Sequence, residues 1–119
     1  MKLLVTGGSG KVGLATIDAL LETGHEVVNA DRTPPTNPRG SARAKSVRYV
    51  ETDLSDVGQV CGAMRGCDGV IHLGAIPSPH RHADEVVFAN NVLGTFAVLQ
   101  AASILGIRKA VVASSISAL

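Results

Sequence analysis

Gly8, Gly10 and Gly13 stand in the spacing G-x-G-x-x-G within "LLVTGGSGKVGL" (3–14), and Asp31 follows eighteen residues after Gly13. Glycines at this spacing let backbone N–H groups at a helix start approach a pyrophosphate, whose negative charge the helix dipole favours. A carboxylate at the end of the next strand is placed to accept a hydrogen bond from a ribose hydroxyl. The two features together predict a dinucleotide site. A nucleoside-triphosphate loop does not fit, because Lys11 is followed by Val12 rather than Ser or Thr, and Val5 stands where that motif begins with glycine.

The glycines act only if a strand precedes them and a helix follows. "KLLVT" (2–6) is a short apolar run, and 11–23 places Val12, Ala15, Ile17, Ala19, Leu20 and Leu21 at helical spacing until Gly24 stops it. "HEVVNA" (25–30) reads as a second buried strand that ends at Asp31. The proline-rich stretch 32–46 has no periodicity and is predicted to be a long loop. Further strands are expected at 47–52, 69–74 and 109–115, and helices at 57–65 and 84–106, the latter with apolar positions at 86, 89, 93, 96, 97 and 104. Short apolar strands alternating with helices predict an α/β fold with a parallel sheet covered on both faces.

The bounds agree with a small-molecule binder. A chain of 119 residues has the size of one domain, and 45% hydrophobic against 18% charged residues is a globular composition. A formal charge of +1 argues against nucleic acid or an anionic membrane as partner. Apolar runs such as "VVFA" fall short of a bilayer span and no signal-peptide pattern opens the chain, so a cytoplasmic protein is expected. Cys61 and Cys67 lack a CxxC spacing and read as buried or half-buried thiols. His25 and His72 border strands and read as packing or hydrogen-bonding residues. His80 and His82 have no third ligand near them in sequence, so no metal site is expected.

Five stretches in order also carry a family resemblance. "TGGSGKVG" (6–13) resembles the T-G-x-x-G-x-x-G signature of extended short-chain dehydrogenases/reductases, the NAD-dependent epimerase/dehydratase group. "ETDLSD" (51–56) resembles its Asp-hydrophobe pair, "IHLGAIPSP" (71–79) its H-L-A-A motif with Gly74 in place of Ala, "NNVLGTFAVLQAA" (90–102) its N-x-x-G-T helix, and "VVASSISAL" (111–119) its fifth strand and active-site serine. The resemblance implies a Rossmann-type doubly wound parallel sheet of about five strands, order 3-2-1-4-5, with helices on both faces. It implies a pyrophosphate turn of Gly7, Gly10 and Gly13 with Gly8, Ser9, Lys11 and Val12. Asp31 would hold the adenosine ribose with Arg32 beside it, and Asp53 and Leu54 would flank the adenine. Leu73, Gly74 and Ala75 would pass the phosphates and the nicotinamide ribose, and Asn91 would also serve the cofactor. Aligning "SSISAL" with S-S-x-x-V-Y puts Ser115 at the catalytic serine, with Ser114 one register away.

Asp31 argues for NAD, since its charge would repel the 2′-phosphate of NADP. Arg32, Arg39, Arg43 and Lys45 could pair with that phosphate, but a solvated loop is the plainer reading of these charges. The family's reaction also needs a Y-x-x-x-K pair, whose phenol acts as general acid or base when nearby positive charge lowers its pKa. The one tyrosine is Tyr49, and four places on stands Asp53. The chain is therefore expected to be the N-terminal cofactor-binding half of an enzyme acting on a sugar or nucleotide-sugar, without the catalytic Tyr/Lys segment and substrate region, and inactive alone. A dinucleotide-binding module without chemistry, or a truncated fragment without activity of its own, are the alternatives. A fifth strand left as an open edge, a homodimer through the helix from Asp84, or a complementing C-terminal chain are further expectations.

Overall fold

The computed structural model describes residues 1–36, 38 and 40–115. Five strands, β1 (Lys2–Thr6), β2 (Glu26–Asp31), β3 (Arg48–Glu51), β4 (Gly69–His72) and β5 (Lys109–Val112), form one sheet in the order β3-β2-β1-β4-β5. Every neighbouring pair is parallel, with Leu4 opposite Val28 on one side and Val70 on the other. The order implied by the family resemblance is the order observed. Because β1 and β4 are neighbours while β2 and β3 lie on the far side of β1, the chain reverses its winding beside β1. The helices that follow β1 and β4 lie on opposite faces of the sheet, which leaves a crevice outside the carboxyl ends of these two strands.

Side chains of each strand alternate between two cores. Leu4, Val28, Ala30 and Val70 face one side, where they pack with Val60, Ala63 and Met64 of α3 (Val57–Met64) and with the long helix that precedes β5. Val5 and Val27 face the other, against Leu14 and Ile17 of α1 (Lys11–Glu22). Apolar residues on both faces of one strand are what a parallel sheet between two helical layers requires.

The stretch 32–46 is not all loop. Ala42–Lys45 forms a short helix, α2, because the Ser41 hydroxyl caps it by accepting from the Ala44 amide at 2.9 Å and also donates to Asp18 on α1. Ala44 is fully buried in the α1 core. A four-residue helix is too short to show a period in sequence, so tertiary contact decides it.

At α3 the cap is legible. Asp56 accepts from the Gly58 amide at 2.9 Å and the Gln59 amide at 3.2 Å. Asp56→Ala is expected to cost about 1 kcal/mol of stability, as N-cap losses do. A lowered urea midpoint with unchanged slope would show it, whereas an unchanged midpoint would mean that α3 is held by packing alone.

Residues Asp84–Ile104 are continuously helical but not uniform: α4 (Asp84–Phe88) runs through a π-helical turn (Ala89–Leu93) into α5 (Gly94–Ile104). Of the expected apolar positions, 97 is buried and 89 half-buried, but 86, 93, 96 and 104 are exposed, and the buried face is completed by Gly94, Val98, Ala101 and Ala102. Small residues are buried because α5 lies close against α3 and the sheet, and a Cβ at Gly94 would already stand 3.2 Å from the Leu54 Cβ. With a mean hydropathy of 1.4, this helix is long and apolar enough to cross a bilayer, which corrects the reading that apolar runs here are too short. Here it packs its small-residue face on the sheet. Among the described residues β5 pairs only with β4 and is exposed along its length, Val111 at 61%.

Candidate nucleotide-binding cleft

A cavity of about 520 Å³ opens at the carboxyl ends of β1, β2 and β4. That volume suits a small-molecule ligand. Its floor is the turn from β1 into α1. Gly7 has φ +68°, and a Cβ there would stand 2.8 Å from both the Cα and the amide nitrogen of Gly74. Gly13 has an ordinary φ, but its Cβ would overlap the Gly7 carbonyl oxygen and lie 2.6 Å from the Gly8 Cα. Each glycine is required by a backbone on the opposite side of the turn. No side chain caps α1 at Gly10, and Lys11, Val12 and Gly13 of its first turn line the cavity. Uncapped first-turn amides with the positive end of the helix dipole form an anion site.

Asp31 lies at the cavity wall where β2 ends. Its Oδ2 accepts from the Ser9 amide at 3.1 Å, and its Oδ1 from the Arg32 amide at 2.7 Å and the Thr33 amide at 3.4 Å. The carboxylate is thereby fixed against the glycine turn, with lone pairs left for a ligand hydroxyl.

The structure brings together Gly7, Gly10, Lys11, Val12, Gly13, Asp31, Arg32, Leu54, Leu73, Gly74 and Ala75 around this one space. Gly8 and Ser9 lie beneath it. The Ser9 hydroxyl donates to the Thr33 carbonyl at 2.7 Å and accepts from Asn29 Nδ2 at 3.0 Å, while a Cβ at Gly8 would overlap the Asn29 carboxamide. Asp53 faces an adjoining cavity shared with Arg32, Glu51 and Gln59. Hydrogen bonds from the Ser55 hydroxyl and amide, helped by the Arg32 guanidinium at 3.5 Å, hold the Asp53 carboxyl below the usual carboxylate range.

Asn91 does not line the cavity. Its carboxamide is occupied by the Ile76 backbone, accepting from the amide at 2.7 Å and donating to the carbonyl at 3.1 Å. Its neighbour Asn90, buried at the π turn, lines the cavity instead. Ser114 and Ser115 follow β5 at the same sheet edge and are exposed; they are not among the residues lining the cavity. Arg39, and Ile116–Leu119 of the serine motif, lie outside the described residues.

Sequence reasoning also missed Thr52, Ile76, Pro77 and His82, all of which line the cavity. For Thr52 a signal existed: a polar residue ending an apolar run needs a partner once buried, and its hydroxyl donates to the Val50 carbonyl at 2.9 Å. His72 reads as expected, a buried hydrogen-bonded residue, and burial holds its pKa below the ordinary histidine value. Cys67 is buried and Cys61 half-buried, and no three metal-ligating side chains cluster among the described residues. Tyr49 is occupied away from the cavity, its hydroxyl donating to the Asp31 carbonyl at 3.1 Å. Burial, with Glu51 and Asp31 nearby, pushes its phenol pKa up, the wrong direction for a base at neutral pH.

Comparison with known proteins agrees with this geometry. The chain is 35% identical over 118 residues to a putative dihydroflavonol 4-reductase of Synechocystis, covering 97% of this chain and 33% of that protein. A short-chain dehydrogenase/reductase superfamily protein of Agrobacterium tumefaciens, crystallised with bound NAD, superposes with a TM-score of 0.80 at 36% identity over 97% of this chain and 33% of that one. The UDP-glucose 4-epimerase of Thermus thermophilus in complex with NAD gives 0.75 at 32% identity over 92% of this chain and 36% of that one. The chain thus spans about a third of the length of these relatives. The model of the NAD-dependent epimerase/dehydratase family matches residues 3–119, and with the five-stranded sheet and its glycine turn this chain belongs to that family.

Proposed function

We propose that these residues form the NAD-binding portion of an epimerase/dehydratase-type oxidoreductase that acts on a sugar or nucleotide-sugar by hydride transfer. The observation that carries the reading is the uncapped, glycine-cleared start of α1, which faces the cavity across from the Asp31 carboxylate. The donor set fits NAD: first-turn amides for a pyrophosphate, a carboxylate for the adenosine ribose, and Leu54 and Leu73 as apolar walls. NAD, when bound, supplies a nicotinamide that takes up or returns a hydride.

Arg32 turns its guanidinium toward Asp53, and Arg43 lies 3.8 Å from Glu22, so neither is presented to a 2′-phosphate. That favours NAD over NADP. Ser115, at the sheet edge beside β4, is assigned the hydrogen bond to the substrate oxygen, with Ser114 as the next candidate. The sugar class is supported by the epimerase likeness.

A second reading, binding without chemistry, is favoured by one observation. The one tyrosine of these 119 residues is held by the Asp31 carbonyl and carries a raised pKa. On either reading this chain by itself binds NAD without turnover; on the first, the phenol–lysine pair is supplied by residues outside it, and on the second none is needed.

Calorimetric titration with NAD and NADP tests the assignment. NAD is expected to bind at about micromolar strength and NADP more weakly. Asp31→Ala should weaken NAD at least ~10-fold, the loss of a charge-assisted hydrogen bond. Absence of binding to either dinucleotide, or an Asp31→Ala chain that binds NAD as well as the parent, would sink the reading.

A further inference from the structure

We propose that His72 is a positioning residue of the cleft: as the neutral Nε2–H tautomer it joins Thr6 to Thr95 and so holds the loop Leu73–Ile76 against the glycine turn. As a statement about the cofactor, this rests on the function proposed above. As a statement about the loop, it stands alone.

The proton positions follow from counting lone pairs. Thr6 Oγ1 accepts from the Gly74 amide at 3.1 Å and, in a bond that the Leu73 amide shares with the Thr6 carbonyl at 3.2 Å, from the Leu73 amide at 3.1 Å, so both of its lone pairs face amide protons. Its own proton then points to His72 Nδ1 at 2.6 Å, which makes Nδ1 the acceptor. The ring proton therefore sits on Nε2, which donates to Thr95 Oγ1 at 3.0 Å. Thr95 passes its proton on to the Asn91 carbonyl at 2.7 Å. Every donor meets an acceptor, whereas the Nδ1–H tautomer would set a bare Nε2 against a Thr95 oxygen whose proton is already given to the Asn91 carbonyl.

The relay links both ends of one loop. Thr6 holds the start through Leu73 and Gly74, and the Asn91 carboxamide holds the end through the Ile76 amide and carbonyl. Leu73 through Ile76 form one wall of the cavity. Thr6 is the last residue of β1 before the glycine turn, whereas Asn91 lies in the π turn that also brings Asn90 to the cavity. π turns of this kind recur at functional sites, where they redirect side chains. His72 is 3% exposed, so water cannot replace it as the bridge between strand and helix.

Two variants separate positioning from mere packing. His72→Phe keeps a ring but offers Thr6 no acceptor. His72→Asn puts a carboxamide oxygen near the Nδ1 position and restores that half of the relay. Amide hydrogen exchange at Gly74 and Ile76 should rise ~10-fold in His72→Phe, and the Thr6-side residue Gly74 should recover in His72→Asn, for one hydrogen bond of about 1.4 kcal/mol. NAD affinity should fall by a similar factor and recover in the same order. In the parent chain, nitrogen-15 shifts of His72 should report an unprotonated Nδ1 and a protonated Nε2 at neutral pH. A protonated Nδ1, or unchanged exchange at both amides in folded His72→Phe, overturns the proposal. If the parent fails to bind NAD, the function proposed above falls, and exchange still decides the role of His72. If the parent binds NAD and folded His72→Phe binds it equally well, the positioning of the cofactor cleft is overturned while the NAD reading stands.

Discussion

Gly13→Ala is expected to lower NAD affinity by at least ~100-fold while the chain stays folded, an effect of about 2.7 kcal/mol or more. The added methyl would meet the Gly7 carbonyl oxygen and stand 2.6 Å from the Gly8 Cα. Both are backbone atoms and cannot rotate away as a side chain could, so the turn itself must move. Gly7 cannot retreat freely either, because it sits at φ +68° with the Gly74 backbone only 2.8 Å from where a Cβ on it would stand. The displacement therefore reaches the amides that face the pyrophosphate and the wall built by Leu73 and Gly74 together. Charge-assisted hydrogen bonds lose strength steeply with misalignment, so a shift of a few tenths of an ångström at several donors sums to a large loss. Calorimetry with a circular-dichroism control measures it. NAD affinity within a few-fold of the parent would show that the turn does not hold the phosphate.

Leu4→Ala is expected to cost about 2–5 kcal/mol, against a total of about 5–15 kcal/mol for a domain of this size, and so to leave the chain marginally folded at best. Leu4 is fully buried on the central strand, between Val28 and Val70, and packs in the core shared with α3 and α5. Truncating it opens a cavity where three strands and two helices meet, and none of them can close in without breaking register with the others. Leu99→Ala is the control, since Leu99 is 46% exposed on α5. Urea denaturation should lower the midpoint sharply for the first and little for the second. Similar shifts would mean that the exposed side of α5 is covered in solution.

The uneven legibility of this chain has identifiable causes. β1, α1 and β2 were readable because one short segment carries an apolar run, a glycine turn and a helical period in sequence, and Asp31 closes the following strand. α2 was not, because four residues held by Ser41 and by burial of Ala44 leave no period. For the helix after Asp84, apolarity marked its existence but misassigned its face. Hydropathy ranks Leu93 and Phe96 above Gly94, yet the close approach beside Leu54 admits only the glycine, and of the expected positions only the small Ala97 is fully buried. The same helix shows why Asn90 rather than the expected Asn91 reaches the cavity, since a π turn shifts the direction of each side chain and no sequence period announces it.

By itself, then, the sequence determined the α/β class, the strand run of the sheet, the glycine turn and its carboxylate, because these depend on local period and on which residues tolerate a close backbone. Only the tertiary structure decided which amide, hydroxyl or ring nitrogen completes the cleft. Thr6, His72, Thr95 and Asn91 are separated by up to 89 residues in the chain and meet through parallel pairing of β1 with β4 and the packing of α5 beneath them. A hydrogen bond depends on position to within a few tenths of an ångström, and that precision arises only once the sheet register and the helix depth are set.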